Sequence, residues 1–95
     1  PSTAEVLPSI VEAAGDEMKI FVDGGIRSGV DLFKALALGA DGALIARPFV
    51  TAVYGGAAEG VAAYIRKIGE ELKDTMAMCG AFSISEIQKD MIWKY

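Results

Sequence analysis

Two short stretches of the chain set an arginine a few residues beyond an apolar run. Asp23-Gly24-Gly25-Ile26-Arg27 follows Lys19-Ile20-Phe21-Val22, and Ala46-Arg47-Pro48 follows Gly42-Ala43-Leu44-Ile45. Glycine lets the backbone approach a ligand and aim N–H groups at an anion, while a guanidinium offers forked donors that match phosphate oxygens. Two such stretches at neighbouring strand ends describe a phosphate cup. For one arginine alone, an ion pair with Asp23 or Asp41 is an equally good reading. Two arginines at equivalent points of consecutive strand–helix units, beside Gly24-Gly25 and a helix start, favour an anion. Asp23 would repel a phosphate, yet it can accept hydrogen bonds from hydroxyls nearby, so the pattern suggests a phosphate carried on a polyol.

The elements that must hold this cup are readable from spacing. Ser2 and Glu5 have the spacing of a capping box, and Val6, Leu7, Ile10 and Val11 recur on one helical face until Gly15 and Asp16. Lys19 to Val22 reads as a short buried strand. Ser28 can cap the next helix with Asp31 in its first turn, and Val30, Phe33, Leu36 and Ala37 form an inner stripe that ends at Gly39. Ala43 to Ile45 gives a second strand, and so short a strand–helix–strand connection implies parallel neighbours with a right-handed crossover. Beyond Gly55-Gly56 a long helix is expected, with Val61, Ile65, Ile68, Leu72 and Met76 inward and Glu70, Glu71, Lys73 and Asp74 in water, ending at Gly80. Ser83-Ile84-Ser85-Glu86 signals a last helix carrying Ile87, Met91 and Ile92. The expectation is two strands and about four helices, an α/β arrangement. Two parallel strands cannot close a sheet, so both edges call for strands that this chain lacks.

Composition narrows the function classes. The chain has 95 residues, 53% of them hydrophobic, which suits a packed domain rather than a disordered one. A net charge of −4 without a basic run argues against a nucleic-acid or membrane-surface partner. Cys79, the single cysteine, allows no internal disulfide and is expected as a buried inert thiol within Met76-Ala77-Met78-Cys79. Met76, Met78 and Met91 are expected as core fillers, and Tyr54, Tyr64, Trp93 and Tyr95 as packing or surface aromatics. Asp16, Glu17 and Asp41 lack a metal-site spacing. No signal peptide or membrane-length apolar run occurs, so a cytoplasmic location is expected. The chain begins with Pro1 rather than methionine, which fits a piece of something longer.

Asp23-Gly24-Gly25-Ile26-Arg27-Ser28-Gly29, Lys34-Ala35-Leu36-Ala37-Leu38-Gly39-Ala40 and Ala46-Arg47-Pro48 resemble the carboxyl-terminal barrel segment of the FMN-dependent α-hydroxy-acid oxidases and dehydrogenases. Gly55-Gly56, Gly60-Val61, Glu71-Leu72 and Thr75-Met76 resemble that family's last barrel helix, and residues 1–8 resemble the segment just after its catalytic histidine motif. IMP dehydrogenase and type 2 isopentenyl-diphosphate isomerase carry similar Asp-Gly-Gly-Ile-Arg turns but not the tail.

The resemblance implies the last two βα units and terminal helix of a TIM (β/α)8 barrel that binds FMN. It implies that Asp23 contacts the ribityl chain and that Gly24, Gly25, Ile26 and Arg27 surround the phosphate and ribityl end. Ala46 and Arg47 would form a second phosphate-binding pair, with alanine where the family usually has glycine; a positive φ there would strain it. The family's α-proton abstraction uses a histidine, and this sequence has none. The isolated chain is therefore expected to be inactive, supplying part of the cofactor site to a parent that oxidises an L-2-hydroxy acid such as lactate. Its partners would be the upstream remainder of the barrel, the small hydroxy-acid substrate, and further copies of the parent in a homo-oligomer, a tetramer by analogy. A different class of reading is a free-standing, non-catalytic phosphate-binding module that self-associates to hide its strand edges.

Overall fold

The computed structural model describes residues 2–92. Trp93 and Tyr95 lie outside the described residues. The element order is α1 (Thr3–Ala14), β1 (Phe21–Asp23), α2 (Gly29–Ala37), β2 (Gly42–Leu44) and α3 (Arg47–Cys79), followed by two 3₁₀ turns, Ile84–Glu86 and Lys89–Met91. The strands pair in parallel with Phe21 opposite Gly42, Val22 opposite Ala43 and Asp23 opposite Leu44. An α/β arrangement around one parallel pair is thus present.

The capping box at the start of α1 forms: the Glu5 N–H donates to Ser2 Oγ and the Ser2 N–H to Glu5 Oε1. The core gathers Leu7 from α1, Ile20 and Val22 around β1, and Ala35 and Ala40 around α2, with Val11, Ile26, Leu38 and Ala43 packed against it. Asp41 ties the strand entries together. Its carboxylate accepts from the Ile20 N–H at 2.8 Å, and its own N–H donates to the Ile20 carbonyl at 2.7 Å.

Several expectations need correction. β1 is not buried on both faces: Val22 is covered, whereas Phe21 is 64% exposed because helices cover only one side of the pair. The inner stripe of α2 includes Ala35, while Val30 is exposed. Ile10 and Ile65 also face outward. Helix α3 starts at Arg47, earlier than expected, because Pro48 occupies its first turn, where a missing N–H costs nothing. It breaks at Gly56 and Ala57, where Ala57 adopts φ 48°, then runs to Cys79 and ends on left-handed Gly80.

The last helix does not form. Glu86 sends its carboxylate to the Phe82 N–H at 3.1 Å, one residue short of the reciprocal box, while the Ser83 hydroxyl faces Ser85 Oγ and Glu86 Oε1. Local side-chain bonds thereby compete with the helix and leave two 3₁₀ turns. Cys79 and Met78 are exposed rather than buried.

Candidate functional site

The register that places Asp23 opposite Leu44 makes both strands finish at the same edge, so the chain leaves β1 and β2 side by side. After β1, Gly24 (φ 101°) and Gly25 (φ 77°) turn in the left-handed region that glycine adopts without strain. The Gly24 N–H donates to Asp23 Oδ1 at 2.8 Å. The space above this turn is open: a Cβ on Gly25 would meet nothing within 4 Å, and one on Gly24 only Thr3 Oγ1 at 3.7 Å. Ile26 packs on the core and anchors the turn. The Arg27 N–H then donates to Asp31 Oδ2 at 3.1 Å, while the Asp31 N–H donates to Ser28 Oγ at 3.2 Å, the expected cap of α2.

After β2, Ala46 adopts φ −115° and ψ −67°, so alanine sits there unstrained. Its carbonyl accepts from the N–H groups of Phe49 and Val50 at 3.0 and 3.2 Å. No side chain caps α3. Among the described residues, the N–H groups of Gly25 and Arg47 make no hydrogen bond within the chain. They are donors of the kind an anion takes at a helix start.

All seven residues singled out in the sequence come together. Asp23, Gly24, Gly25, Ile26, Arg27, Ala46 and Arg47 line one cleft of about 590 Å³. Arg27 and Arg47 also share a second cleft of about 620 Å³ with Thr51, Tyr64 and Lys67. The ion-pair reading of the arginines fails. Asp41 is committed to Ile20, Asp23 to Gly24, and the ion pair among the described residues joins Lys67 to Glu71 at 3.8 Å. Two unpaired guanidinium groups, two unbonded N–H donors and an open glycine turn suit a phosphate. Asp23 uses one carboxylate oxygen on the Gly24 N–H, and its other oxygen retains acceptor capacity.

Three contributors were not foreseen. Tyr64, expected as a packing aromatic, donates its hydroxyl to the Arg27 carbonyl and stacks its ring on Phe49, centroids 4.9 Å apart. Its phenol titrates above the ordinary value of 10.0, chiefly because burial disfavours the phenolate, then because Glu71 and Asp31 repel it; Arg27 opposes the shift. Glu71, expected in water, accepts from the Gly29 N–H at 3.1 Å and so supports the start of α2. Lys67 lines the second cleft beside the arginines. The signal for Tyr64 was its place one turn before Ile68, on the side of α3 that meets α2.

The chain matches the FMN-dependent dehydrogenase family over residues 1–94, and it belongs to that family. It is 41% identical over 92 residues to glycolate oxidase 1 of Zea mays, covering 97% of this chain and 25% of that protein. To L-lactate dehydrogenase of Azorhizobium caulinodans it is 42% identical over 91 residues, covering 96% of this chain and 24% of the relative. Among solved structures, a mandelate oxidase variant superposes with a TM-score of 0.87 at 37% identity, over 90% of this chain and 26% of that one. A flavocytochrome b2 variant with benzoylformate gives 0.85 at 38% identity, over 93% and 24%. The chain therefore spans about a quarter of the length of the curated relatives it matches. The family's cofactor is FMN, and the geometry of the cleft suits the phosphate end of that molecule.

Proposed function

We propose that this segment is the phosphate-gripping end of a longer (β/α)8 flavoprotein that oxidises an L-2-hydroxy acid of the lactate or glycolate kind to its 2-oxo acid. The observation that carries the reading is that Arg27 and Arg47, unpaired and on separate strand ends, line one cleft with the Gly24-Gly25 turn. Arg27 and Arg47 supply charge to the phosphate, the Gly25 and Arg47 N–H groups supply directed donors, and Asp23 accepts from a ribityl hydroxyl. Bound FMN supplies a two-electron acceptor for the hydroxy acid. What these residues contribute is binding and orientation.

Proton abstraction from the α-carbon needs a base suited to neutral pH, and the chain has no histidine. That base comes from the rest of the barrel, and the segment alone is inactive. The parent assembles as a homo-oligomer, a tetramer by analogy with its family. Anaerobic mixing of the intact flavoprotein with a panel of L-2-hydroxy acids tests the reading. Bleaching of the flavin absorbance with equimolar 2-oxo acid formed is expected for at least one member. An oxidised flavin unchanged by the whole panel contradicts the assignment.

A further inference from the structure

One side chain touches both halves of the cup. Tyr64 lies beyond the break in α3, and its hydroxyl donates to the carbonyl oxygen of Arg27. The face of its ring lies on Phe49, with the planes 28° apart. Phe49 is two residues past Arg47, in the turn whose N–H returns to the Ala46 carbonyl. A single tyrosine is thus bonded to the backbone of one arginine and packed on the turn that carries the other. Among the described residues, no hydrogen bond or ion pair joins the two arginine segments to each other. Beside strand pairing, the packing of α2 on α3 and the Glu71 bond to the Gly29 N–H, Tyr64 is the side chain that meets both arginine segments.

We propose that Tyr64 is a positioning residue for the phosphate of FMN, holding Arg27 and Arg47 at the separation that one phosphate spans by tying both loops to α3. This rests on the phosphate-cup reading above. Both guanidinium groups are exposed and unpaired, so their convergence depends on how the backbone beneath them is held. Ordering that backbone before the ligand arrives removes an entropy loss from binding. The hydroxyl remains a donor throughout the neutral range, since a phenol ordinarily titrates near 10.0 and this one titrates higher. The stack on Phe49 adds an aromatic contact that survives loss of the hydroxyl.

The test uses the intact flavoprotein stripped of its flavin and titrated with FMN and with riboflavin, which lacks the phosphate. Tyr64→Phe keeps the ring and removes the donor; Tyr64→Leu removes the stack as well. Tyr64→Phe is expected to weaken FMN by about 3- to 10-fold, the size of one lost hydrogen bond, and to leave riboflavin unchanged. Tyr64→Leu should weaken FMN further. Equal weakening of both flavins, or unchanged FMN affinity in Tyr64→Phe, overturns the proposal. Arg47→Ala separates the two readings. If it lowers the preference for FMN over riboflavin and Tyr64→Phe does not, the cup stands and the role of Tyr64 falls. If it leaves that preference intact, the cup itself falls and the positioning role with it.

Discussion

Arg47 enters α3 with an unpaired guanidinium and an unbonded N–H, beside an alanine that adds only a methyl to the turn. Replacing Arg47 by alanine removes the charge and keeps the N–H. FMN affinity is expected to fall by about 1.5 kcal/mol, roughly tenfold and at the low end for a charged hydrogen bond because the site is open to solvent. Riboflavin binding should not change; flavin fluorescence titration reads both. Tyr64 gives a pH prediction. Its titration is raised in the folded chain above 10.0, so folding favours the protonated phenol. That contribution is complete below pH 10 and is lost as pH climbs past 10 towards the folded value. Chemical denaturation across that range should show declining stability above pH 10 that is smaller in Tyr64→Phe.

What could be read at this scale were the groups whose chemistry is local: two arginines, a double glycine and an aspartate, each beside a strand end. Tyr64 and Glu71 escaped because their partners, Arg27 and Gly29, lie 37 and 42 residues away in sequence. Helical spacing says which side of α3 they occupy, not what meets them there.

Among the elements, α3 does most to place the site, and it does so by close approach to α2. A Cβ on Gly29 would collide with the Leu72 nitrogen, Glu71 Cβ and the Ile68 carbonyl oxygen, mostly backbone that cannot rotate away. Gly29→Ala is therefore expected to force the helices apart and cost about 1–3 kcal/mol, measured as a lower denaturation midpoint of the intact protein. The break at Gly56-Ala57 gives the opposite sign. Ala57 holds φ 48° and ψ −133°, which an L side chain disfavours, so Ala57→Gly should stabilise by about 1 kcal/mol in the same assay.

The caps of α1 and α2 and the left-handed end at Gly80 were legible because each depends on residues a few positions apart, and parallel pairing because a strand–helix–strand connection this short implies it. The early start of α3 was hidden by Gly55-Gly56, which reads as a loop, whereas the helix has already begun at Arg47 and breaks only at Gly56-Ala57. The failed last helix was hidden by a cap signal whose carboxylate turned to Phe82, one residue away from the expected partner.

As a whole molecule, the segment leaves much apolar surface uncovered. Its two strands expose both edges, Phe21 and Leu44 stand uncovered on the strand face away from the helices, and Val50, Val53 and Tyr54 are exposed along the first half of α3. Each such side chain hidden at an interface contributes about 1.5–3 kcal/mol, and open edges pair readily. The isolated chain is expected to sediment as oligomers at micromolar concentration; a stable monomer would show that the edges need no partner. That the sheet has two strands with open edges was readable from the strand count, whereas which side chains stay uncovered required the fold.

The central claim is that one phosphate is held between two strand ends, and a crystal structure of the intact protein with FMN tests it most directly. The account predicts phosphate oxygens within about 2.7–3.2 Å of both guanidinium groups and of the Gly25 and Arg47 N–H groups. A phosphate bound elsewhere, with Arg27 and Arg47 turned to separate carboxylates, would contradict it.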